Sequence, residues 1–403
     1  MSRICLVSCA SSKLPCNAKA KDIYISPLFQ YARKVAERDY DKWYILSALH
    51  GLLEPEKQIA PYNETLNRQN IGQKKKWATG VLKKLRAKLK RGDSITFLAG
   101  DNYRDDLIPK LTALGYVCNA PLEGLGLGQQ IHTLKLLVLH QDRLKHLNRF
   151  YDILERLRDT QGQIALSKLE GSSKLPLRGV YFFFEPGEKR LFNCSCLRCV
   201  RVGTHAVSRN ATSTLWTRLR THRGSSDWGG NHRSSIFRLH VGAAMLARGD
   251  LPVSLTTWGK EQDAPIEVRK KERSLEEAVS RFIGNMQVLW IEIPDEPGPM
   301  SDRAFIEQNS IGLLSGSTGP LDLPSRNWLG LNSIHETIRK SGLWNVNYVD
   351  LDYDHRFLDV LATYVDGTIG QKSPPQHSIA PAGWASALRE RHEHGQLHFF
   401  EKE

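Results

Sequence analysis

Residues 179–186, with the sequence GVYFFFEP, form an apolar run of strand length that opens with glycine, valine and tyrosine. A second run of this kind starts with RVGT at residue 201, and LWIEIP at 289–294 resembles a third strand. The stretches TLWTRLRTHR, SLEEAVSRFI and SDRAFIEQNSIGLL have the character of helices. These stretches predict a mixture of strands and helices for this part of the chain.

The amino-terminal part has a different pattern. The short apolar runs ICLVSC, WYILSALHG and ITFLAG alternate with the amphipathic stretches PLFQYARKVAERDY and KKKWATGVLKKLRAKLKRG. This alternation predicts a three-layer α/β domain with a largely parallel sheet over residues 1–136. We expect a helical connector and linker over 137–177, and the smaller α+β domain with a carboxyl-terminal extension over 178–403.

Composition bounds the possible functions. The chain has 403 residues, of which 40% are hydrophobic and 25% charged, as is typical of a protein that folds into domains. The formal net charge of +13 favours a polyanion such as DNA or RNA as partner, because Lys and Arg displace counterions from phosphates. The seven cysteines and the lack of a long apolar run predict a cytoplasmic protein with free thiols and no membrane contact.

The motifs of the carboxyl-terminal part come in a fixed order. A G-V-Y strand is followed by an R-V-G strand, by a helix with Arg218 and His222 four residues apart, and by a distant Glu307. This order over about 179–320 resembles the GIY-YIG nuclease family. The resemblance implies a metal-dependent DNA endonuclease in which Glu307 holds Mg²⁺ or Mn²⁺ and Arg218 contacts the scissile phosphate. Tyr181 and His222 would flank the attacking water, and either side chain could accept its proton.

The second motif departs from the family pattern. Arg201 stands where the family has its second tyrosine, which leaves the general base open. His205 follows that motif closely, and His232 in GGNHRSS is a candidate phosphate contact, so both join the catalytic candidates. On the helix, Arg218 and His222 would together form an anion-binding face.

An insertion between the two motif strands contains the cysteines Cys194, Cys196 and Cys199. Their C-x-C-x-x-C spacing admits a zinc site only if His205 supplies a fourth ligand. The alternative is a plain hairpin insertion.

Residues 3–135 resemble an uncharacterised bacterial α/β domain family through the segments CASSK, LSALHGL and PLEGLGLG. They also resemble, distantly, the base-processing domain of archaeosine synthase, whose fold is similar to that of DNA glycosylases. Polar side chains at the carboxyl ends of parallel strands would meet at one edge of the sheet. The candidates for a base-binding site are Cys9, Ser11, Ser12, Lys13, His50, Asp101, Tyr103 and Glu123.

Two further features of this part favour contact with nucleic acid. Gly124, Gly126 and Gly128 would let backbone amides approach a phosphate at the start of a helix beginning with Gln129, although a simple tight turn fits equally well. A helix over 73–91 places Trp77 on an apolar face and a Lys/Arg field on the opposite one. That field is either a solvated surface or a track for the DNA backbone.

Three functions remain open from the sequence. The first is a DNA endonuclease whose amino-terminal domain recognises or excises modified bases, in restriction or defence against foreign DNA. The second is a nuclease whose first domain only binds DNA. The third is a noncatalytic nucleic-acid-binding protein, which the Arg201 replacement suggests.

Overall fold

The computed structural model describes residues 2–170, 175–191, 196–207, 211–250, 255–260, 263–375 and 377–386. The chain divides into two compact units at residues 141 and 142, with residue 191 grouped with the first unit. Among the described residues, none of the helices combines the length and apolar character that crossing a membrane requires.

The first unit contains seven strands and six α-helices in its described part. The strands are β1 (Arg3–Ser8), β2 (Ala18–Lys19), β3 (Lys42–Ser47), β4 (Gly51–Leu53), β5 (Gln58–Ile59), β6 (Ser94–Leu98) and β7 (Val117–Asn119). The helices are α1 (Ala20–Ile23), α2 (Pro27–Asp39), α3 (Ile71–Arg86), α4 (Asp101–Arg104), α5 (Ile108–Ala113) and α6 (Leu127–Leu139).

The main sheet of the first unit has the strand order β4-β3-β1-β6-β7. All pairs are parallel except β3 with β4, so the expected largely parallel sheet is confirmed. Central strand residues such as Leu6, Leu46 and Phe97 are buried, because helices and loops pack on the sheet. The three-layer arrangement stays a prediction.

Local hydrogen bonds set the ends of two helices differently from the sequence prediction. Helix α3 starts at Ile71, before residue 73, because Asn70 and Gln73 form a reciprocal capping box. It ends at Arg86, short of residue 91. Helix α6 starts at Leu127, before Gln129, whose side chain instead accepts a hydrogen bond from the Gly126 amide.

The second unit contains three strands and seven α-helices in its described part. They are α7 (Gln141–Gln161), β8 (Gly179–Lys189), β9 (Leu197–Gly203), α8 (Leu215–Arg223), α9 (Ile236–Arg248), α10 (Ile266–Gly284), β10 (Gln287–Glu292), α11 (Asp302–Ser315), α12 (Glu336–Ser341) and α13 (Phe357–Thr368). The sheet order is β10-β8-β9, and both pairs are antiparallel.

The central strand β8 is apolar on both faces because helices cover both of them. Tyr181 and Phe183 share a core with residues of α8, α9 and α10, and Phe183 lies 5.6 Å from Phe237 between ring centroids. Phe182 packs in the other direction, against Phe150 of α7 at 5.8 Å. A strand that is buried on both faces has a continuous run of hydrophobic residues, which explains the sequence GVYFFF at the start of β8.

Much of the segment that the sequence assigns to a connector packs within the second unit. Helix α7 from residue 142 on belongs to that unit, and its Phe150 and Leu154 are buried. Leu166 and Leu169 are also buried, and the Leu166 amide donates to the Met286 carbonyl.

Candidate active site

Tyr181 lies near the start of β8, opposite Gly203 at the end of β9. A Cβ atom on Gly203 would come within 2.3 Å of the Tyr181 Oη atom, a distance that no side chain tolerates. The glycine of the R-V-G motif therefore makes room for the phenol. The two residues lie on neighbouring antiparallel strands.

The Tyr181 hydroxyl forms a hydrogen bond of 2.8 Å with His222 Nε2. His222 Nδ1 is in turn 2.8 Å from the Ser235 hydroxyl, so both ring nitrogens are occupied. The imidazole has no exposed surface, and its pKa is lowered well below the usual value by burial and then by the charges of Arg218, Arg201 and Arg238. His222 is therefore a neutral link in a Tyr181–His222–Ser235 chain.

This geometry corrects the sequence expectation for helix α8. His222 does not flank a solvent water, and it does not form an anion-binding face with Arg218, because it turns into the core while Arg218 stays partly exposed. A spacing of four residues places two side chains on one side of a helix but does not say which of them the fold covers.

Glu307 is a partly exposed carboxylate on helix α11. Its Oε1 accepts a hydrogen bond of 3.1 Å from the Thr204 amide, directly after the R-V-G motif. Burial raises the pKa of Glu307 to about 7, against the opposing effects of Arg201, the Thr204 amide and Arg218. Among the described residues, the second oxygen of Glu307 accepts no hydrogen bond. A bound cation would stabilise the ionised carboxylate.

Arg201 is buried between the core and this carboxylate. Its Nη1 donates to the Trp344 carbonyl at 2.8 Å, and its guanidinium lies 4.7 Å from the ring centroid of Phe237. Burial lowers the pKa of Arg201, while Tyr181 and Glu307 favour the charged form. The replacement of the family tyrosine therefore introduces a fixed positive charge beside the phenol.

Three buried nitrogens of this region lack a hydrogen-bond partner among the described residues: Arg201 Nε, His205 Nε2 and Arg218 Nε. Unsatisfied buried donors are rare in folded proteins and need an explanation. His205 holds its other nitrogen 3.0 Å from the Ser213 carbonyl, and burial followed by Arg303 lowers its pKa to about 4. Arg201 lies in the core beside Tyr181, whereas Arg218 is partly exposed, so its unpaired guanidinium donor fits an anion such as a phosphate.

The donor set around Glu307 fits a hard divalent cation held by one carboxylate and by substrate oxygens. Among the described residues, no three His, Cys, Asp or Glu side chains group together as a metal cage would require. Mg²⁺ commonly binds in the open manner, with one or two carboxylates and phosphate oxygens. The residues present therefore suit Mg²⁺ or Mn²⁺ better than a structural ion.

His232 has a structural role instead of the expected phosphate contact. Its Nδ1 lies 2.9 Å from Glu276, and its Nε2 accepts from the Gly259 amide at 3.1 Å. The ring stacks on Trp258 at 3.7 Å and is buried. With both nitrogens engaged, His232 cannot reach a ligand.

The zinc hypothesis finds no support in the described residues. Cys199 is buried in β9, its Sγ donates to the Arg201 carbonyl, and burial raises its pKa to about 12. His205, the proposed fourth ligand, is directed to the Ser213 carbonyl. Cys194 lies outside the described residues.

Tyr348 is a member of this region that the sequence analysis missed. It is partly exposed, its backbone has a φ of 65°, and Glu307 contributes, after burial, to raising its pKa. The preceding Asn345 brackets Val202, accepting from its amide at 3.1 Å and donating to its carbonyl at 2.8 Å. No local sequence motif indicates Tyr348 as a site residue, because only the tertiary fold brings residues 344–348 beside β9.

In the first unit, the parallel strands bring several of the predicted residues together. Cys9 Sγ lies 3.3 Å from the Tyr103 hydroxyl, and Lys13 Nζ lies 4.2 Å from the ring centroid of Tyr62. Burial lowers the pKa of Lys13. Tyr62 was not predicted, although its hydroxyl joins this group through Ser47 at 2.7 Å.

Other predicted residues of this unit lie apart from that group or already form ion pairs or hydrogen bonds. Arg104 forms ion pairs with Asp101 at 2.7 Å and with Glu123 at 3.2 Å. Ser11 and Ser12 are exposed, and their backbone carbonyls accept hydrogen bonds from Lys13 and Ile25. His50 occupies the turn between β3 and β4.

The glycine loop behaves as a turn before α6. Gly124 has a φ of 80°, the Leu125 amide bonds the Leu122 carbonyl, and the Gly126 amide is used by Gln129. Gly126 therefore does not offer its amide to a phosphate, which corrects that part of the prediction. A Cβ atom on Gly128 would meet no other atom within 4 Å, so no close approach requires this glycine.

The profile of the GIY-YIG domain matches residues 141–371, more than half of the chain. The protein therefore belongs to the GIY-YIG family, whose domain indicates a nuclease that hydrolyses phosphodiester bonds and that generally depends on a divalent metal ion. The resemblance seen in the sequence is confirmed for this part.

Residues 4–136 match a family of unknown function, DUF6884, so the resemblance to DNA glycosylases stays a prediction. A segment of 66 residues is 33% identical to the uncharacterized protein YfjM of Bacillus subtilis (strain 168). That match covers 15% of this chain and 44% of YfjM, so it spans less than half of that relative. No solved structure matches the chain.

Proposed function

We propose that this protein is a DNA endonuclease that uses Mg²⁺ or Mn²⁺, with Tyr181, Arg218 and Glu307 as its catalytic residues. The observation that supports it best is the combination of the Tyr181–His222 hydrogen bond, the unpaired guanidinium donor of Arg218 and one high-pKa carboxylate. Proton transfer, charge stabilisation and cation binding are the three needs of phosphodiester hydrolysis.

Each side chain has one part in this proposal. Glu307 holds the cation, which supplies positive charge to the non-bridging phosphate oxygens when bound. Arg218, partly exposed, contacts the scissile phosphate through its planar fork of donors. Tyr181 Oη, held by its hydrogen bond to His222 Nε2, accepts a hydrogen bond from the attacking water and orients it.

Arg201 and Ser235 act on Tyr181 without touching the substrate. Arg201 stands where the family has its second tyrosine, and it adds a buried positive charge beside the Tyr181 phenol. Ser235 holds the His222 ring in place at 2.8 Å. The role of a noncatalytic binder is less well supported, because such a protein has no need of Glu307 at this position.

For the first unit we propose base recognition at the carboxyl edge of its parallel sheet. Cys9, Lys13 and Tyr103 meet there, as ligand sites in open α/β sheets do. Reading a modified base and cutting the strand would suit restriction or defence against foreign DNA. Release of a free base by the full chain would extend the proposal to glycosylase activity.

Replacement of Arg218 tests the nuclease proposal. Arg218→Ala should slow the cutting of duplex DNA in Mg²⁺ by about 100-fold or more and change the affinity for DNA only a little. The reason is that the Arg218 guanidinium stabilises negative charge that develops on the phosphate in the transition state. Arg218→Lys should restore little, since a point charge cannot copy a planar fork.

Arg220→Ala is the matched control, because Arg220 is exposed two residues further along the same helix. It should cut at the wild-type rate. Equal rates for Arg218→Ala and the wild type would make α8 an ordinary basic surface and refute the proposed function.

A further inference from the structure

A shallow groove of about 320 Å³ lies between the turn after β3 and helix α3 of the first unit. We call it the α3 groove. It is lined by the turn residue His50, by Gln69 and by the α3 residues Gln73, Lys76, Trp77, Gly80 and Lys84. Its volume is at the lower end of the range for small-ligand sites.

Gly80 keeps this groove open. Glycine in the interior of a helix costs about 1 kcal/mol relative to alanine, so it calls for a reason. A Cβ atom at Gly80 would meet nothing within 4 Å, so no packing contact within the chain requires the glycine. The lack of a side chain at Gly80 instead leaves the groove wider at this position.

The charges of the groove favour an anion. Lys76 and Lys84 line it, while none of its lining residues is an Asp or Glu. Lys84 Nζ donates to the His50 carbonyl at 3.2 Å, which fixes the ammonium beside the turn. Burial, followed by Lys57 and Lys84, lowers the pKa of His50, so its ring stays neutral and can both donate and accept.

The groove also offers an aromatic side chain held in place. Trp77 is half-buried, its Nε1 donates to the Ser47 carbonyl at 2.8 Å, and its ring meets Tyr103 edge-on at 5.6 Å. A fixed indole suits stacking of a nucleobase. The carboxamide of Gln69 is of the type that pairs with base edges.

We propose that the α3 groove binds one unstacked nucleotide of single-stranded DNA, with its base against Trp77 and its phosphates at Lys76 and Lys84. The proposal rests on the proposed function only in taking DNA as the ligand. It places nucleic-acid binding in the groove, next to the edge where Cys9 and Tyr103 lie.

The first test fills the groove. The full chain, without divalent metal so that no strand is cut, is titrated with a labelled oligothymidylate of about ten nucleotides. Gly80→Leu should weaken binding about tenfold or more, because its side chain takes the place of the base while leucine suits a helix. Gly72→Leu, an exposed position of α3 outside the groove lining, should bind like the wild type.

The second test compares Lys76, which lines the groove, with its sequence neighbour Lys75, which does not. Lys76→Gln should reduce the slope of log affinity against log salt by about 0.7, the value for one phosphate contact of a single strand. Lys75→Gln removes an equal charge outside the groove and should leave the slope unchanged. Thermal unfolding confirms that each variant folds.

The proposal is overturned if Gly80→Leu binds the oligonucleotide like the wild type. It is also overturned if Gly72→Leu weakens binding as much as Gly80→Leu does and Lys75→Gln changes it as much as Lys76→Gln does. Full displacement of the oligonucleotide by inorganic phosphate at millimolar concentration would also overturn it, since an anion site alone needs no base. A wild-type chain that binds the oligonucleotide but cuts no DNA in Mg²⁺ refutes the nuclease proposal and leaves the groove intact.

Discussion

At the scale of single residues, Glu307 carries the clearest electrostatic signature of the site. Its carboxylate sits in a partly buried position where one amide hydrogen bond and two arginines do not offset the loss of water. A carboxyl group that holds its proton to about pH 7 destabilises the fold when it ionises, unless a cation binds. The same group is therefore unfavourable for folding and suited to binding metal.

A pH series measures this penalty. The folded state holds the Glu307 proton up to about pH 7, while the unfolded chain loses it near 4.5, so stability falls as pH rises through this window. Without metal, Glu307→Gln should raise the free energy of unfolding by about 1–3 kcal/mol at pH 8 and by little at pH 4.5. Denaturant unfolding at several pH values provides the measurement.

Glu292→Gln, at an exposed position of β10, is the control and should show no such pH dependence. A stability difference between Glu307→Gln and the wild type that is the same at pH 4.5 and pH 8 would contradict the burial of this carboxylate.

At the scale of elements, the antiparallel pair of β8 and β9 positions the site. Tyr181 and Gly203 face each other across the pair, and the strand end delivers the Thr204 amide to Glu307. Helix α8 contributes one buried and one partly exposed side chain from the same side. The geometry thus depends on contacts between elements more than on any one of them.

Gly203→Ala tests the strand pairing. The added methyl group would need the space of the Tyr181 hydroxyl, so the phenol must shift and lose its alignment with His222. We expect cutting to slow by at least about 100-fold while the protein still binds DNA, because misplaced catalytic groups cost rate before affinity. Gly298→Ala, where a Cβ meets nothing within 4 Å, should leave the rate unchanged. Wild-type cutting by Gly203→Ala would exclude Tyr181 from catalysis.

The sequence predicts those parts of the site that follow from local order. The mostly parallel sheet of the first unit follows from alternating strands and helices, and the G-V-Y and R-V-G motifs indicate two strands that the fold then pairs. The burial of His222 could not be predicted, since helical spacing does not reveal which side chain the core covers. Tyr348 could not be predicted either, because tertiary contacts of Asn345 with β9 place that segment.

At the scale of the whole molecule, the chain combines a nuclease domain with a unit that belongs to a family of unknown function. The net charge of +13 suits a DNA-binding protein. Each unit has its own buried core, and the variants that test the nuclease and the groove lie in different units.

The most direct measurement is cutting of plasmid DNA by the full chain and by Glu307→Gln, with and without Mg²⁺. The wild type should cut only with Mg²⁺, and at low Mg²⁺ its rate should fall as pH drops below about 7, where Glu307 becomes protonated. Glu307→Gln should bind the DNA and leave it intact. Cutting by Glu307→Gln at the wild-type rate, or by the wild type in excess chelator, would contradict the assignment of a metal-dependent nuclease centred on Glu307.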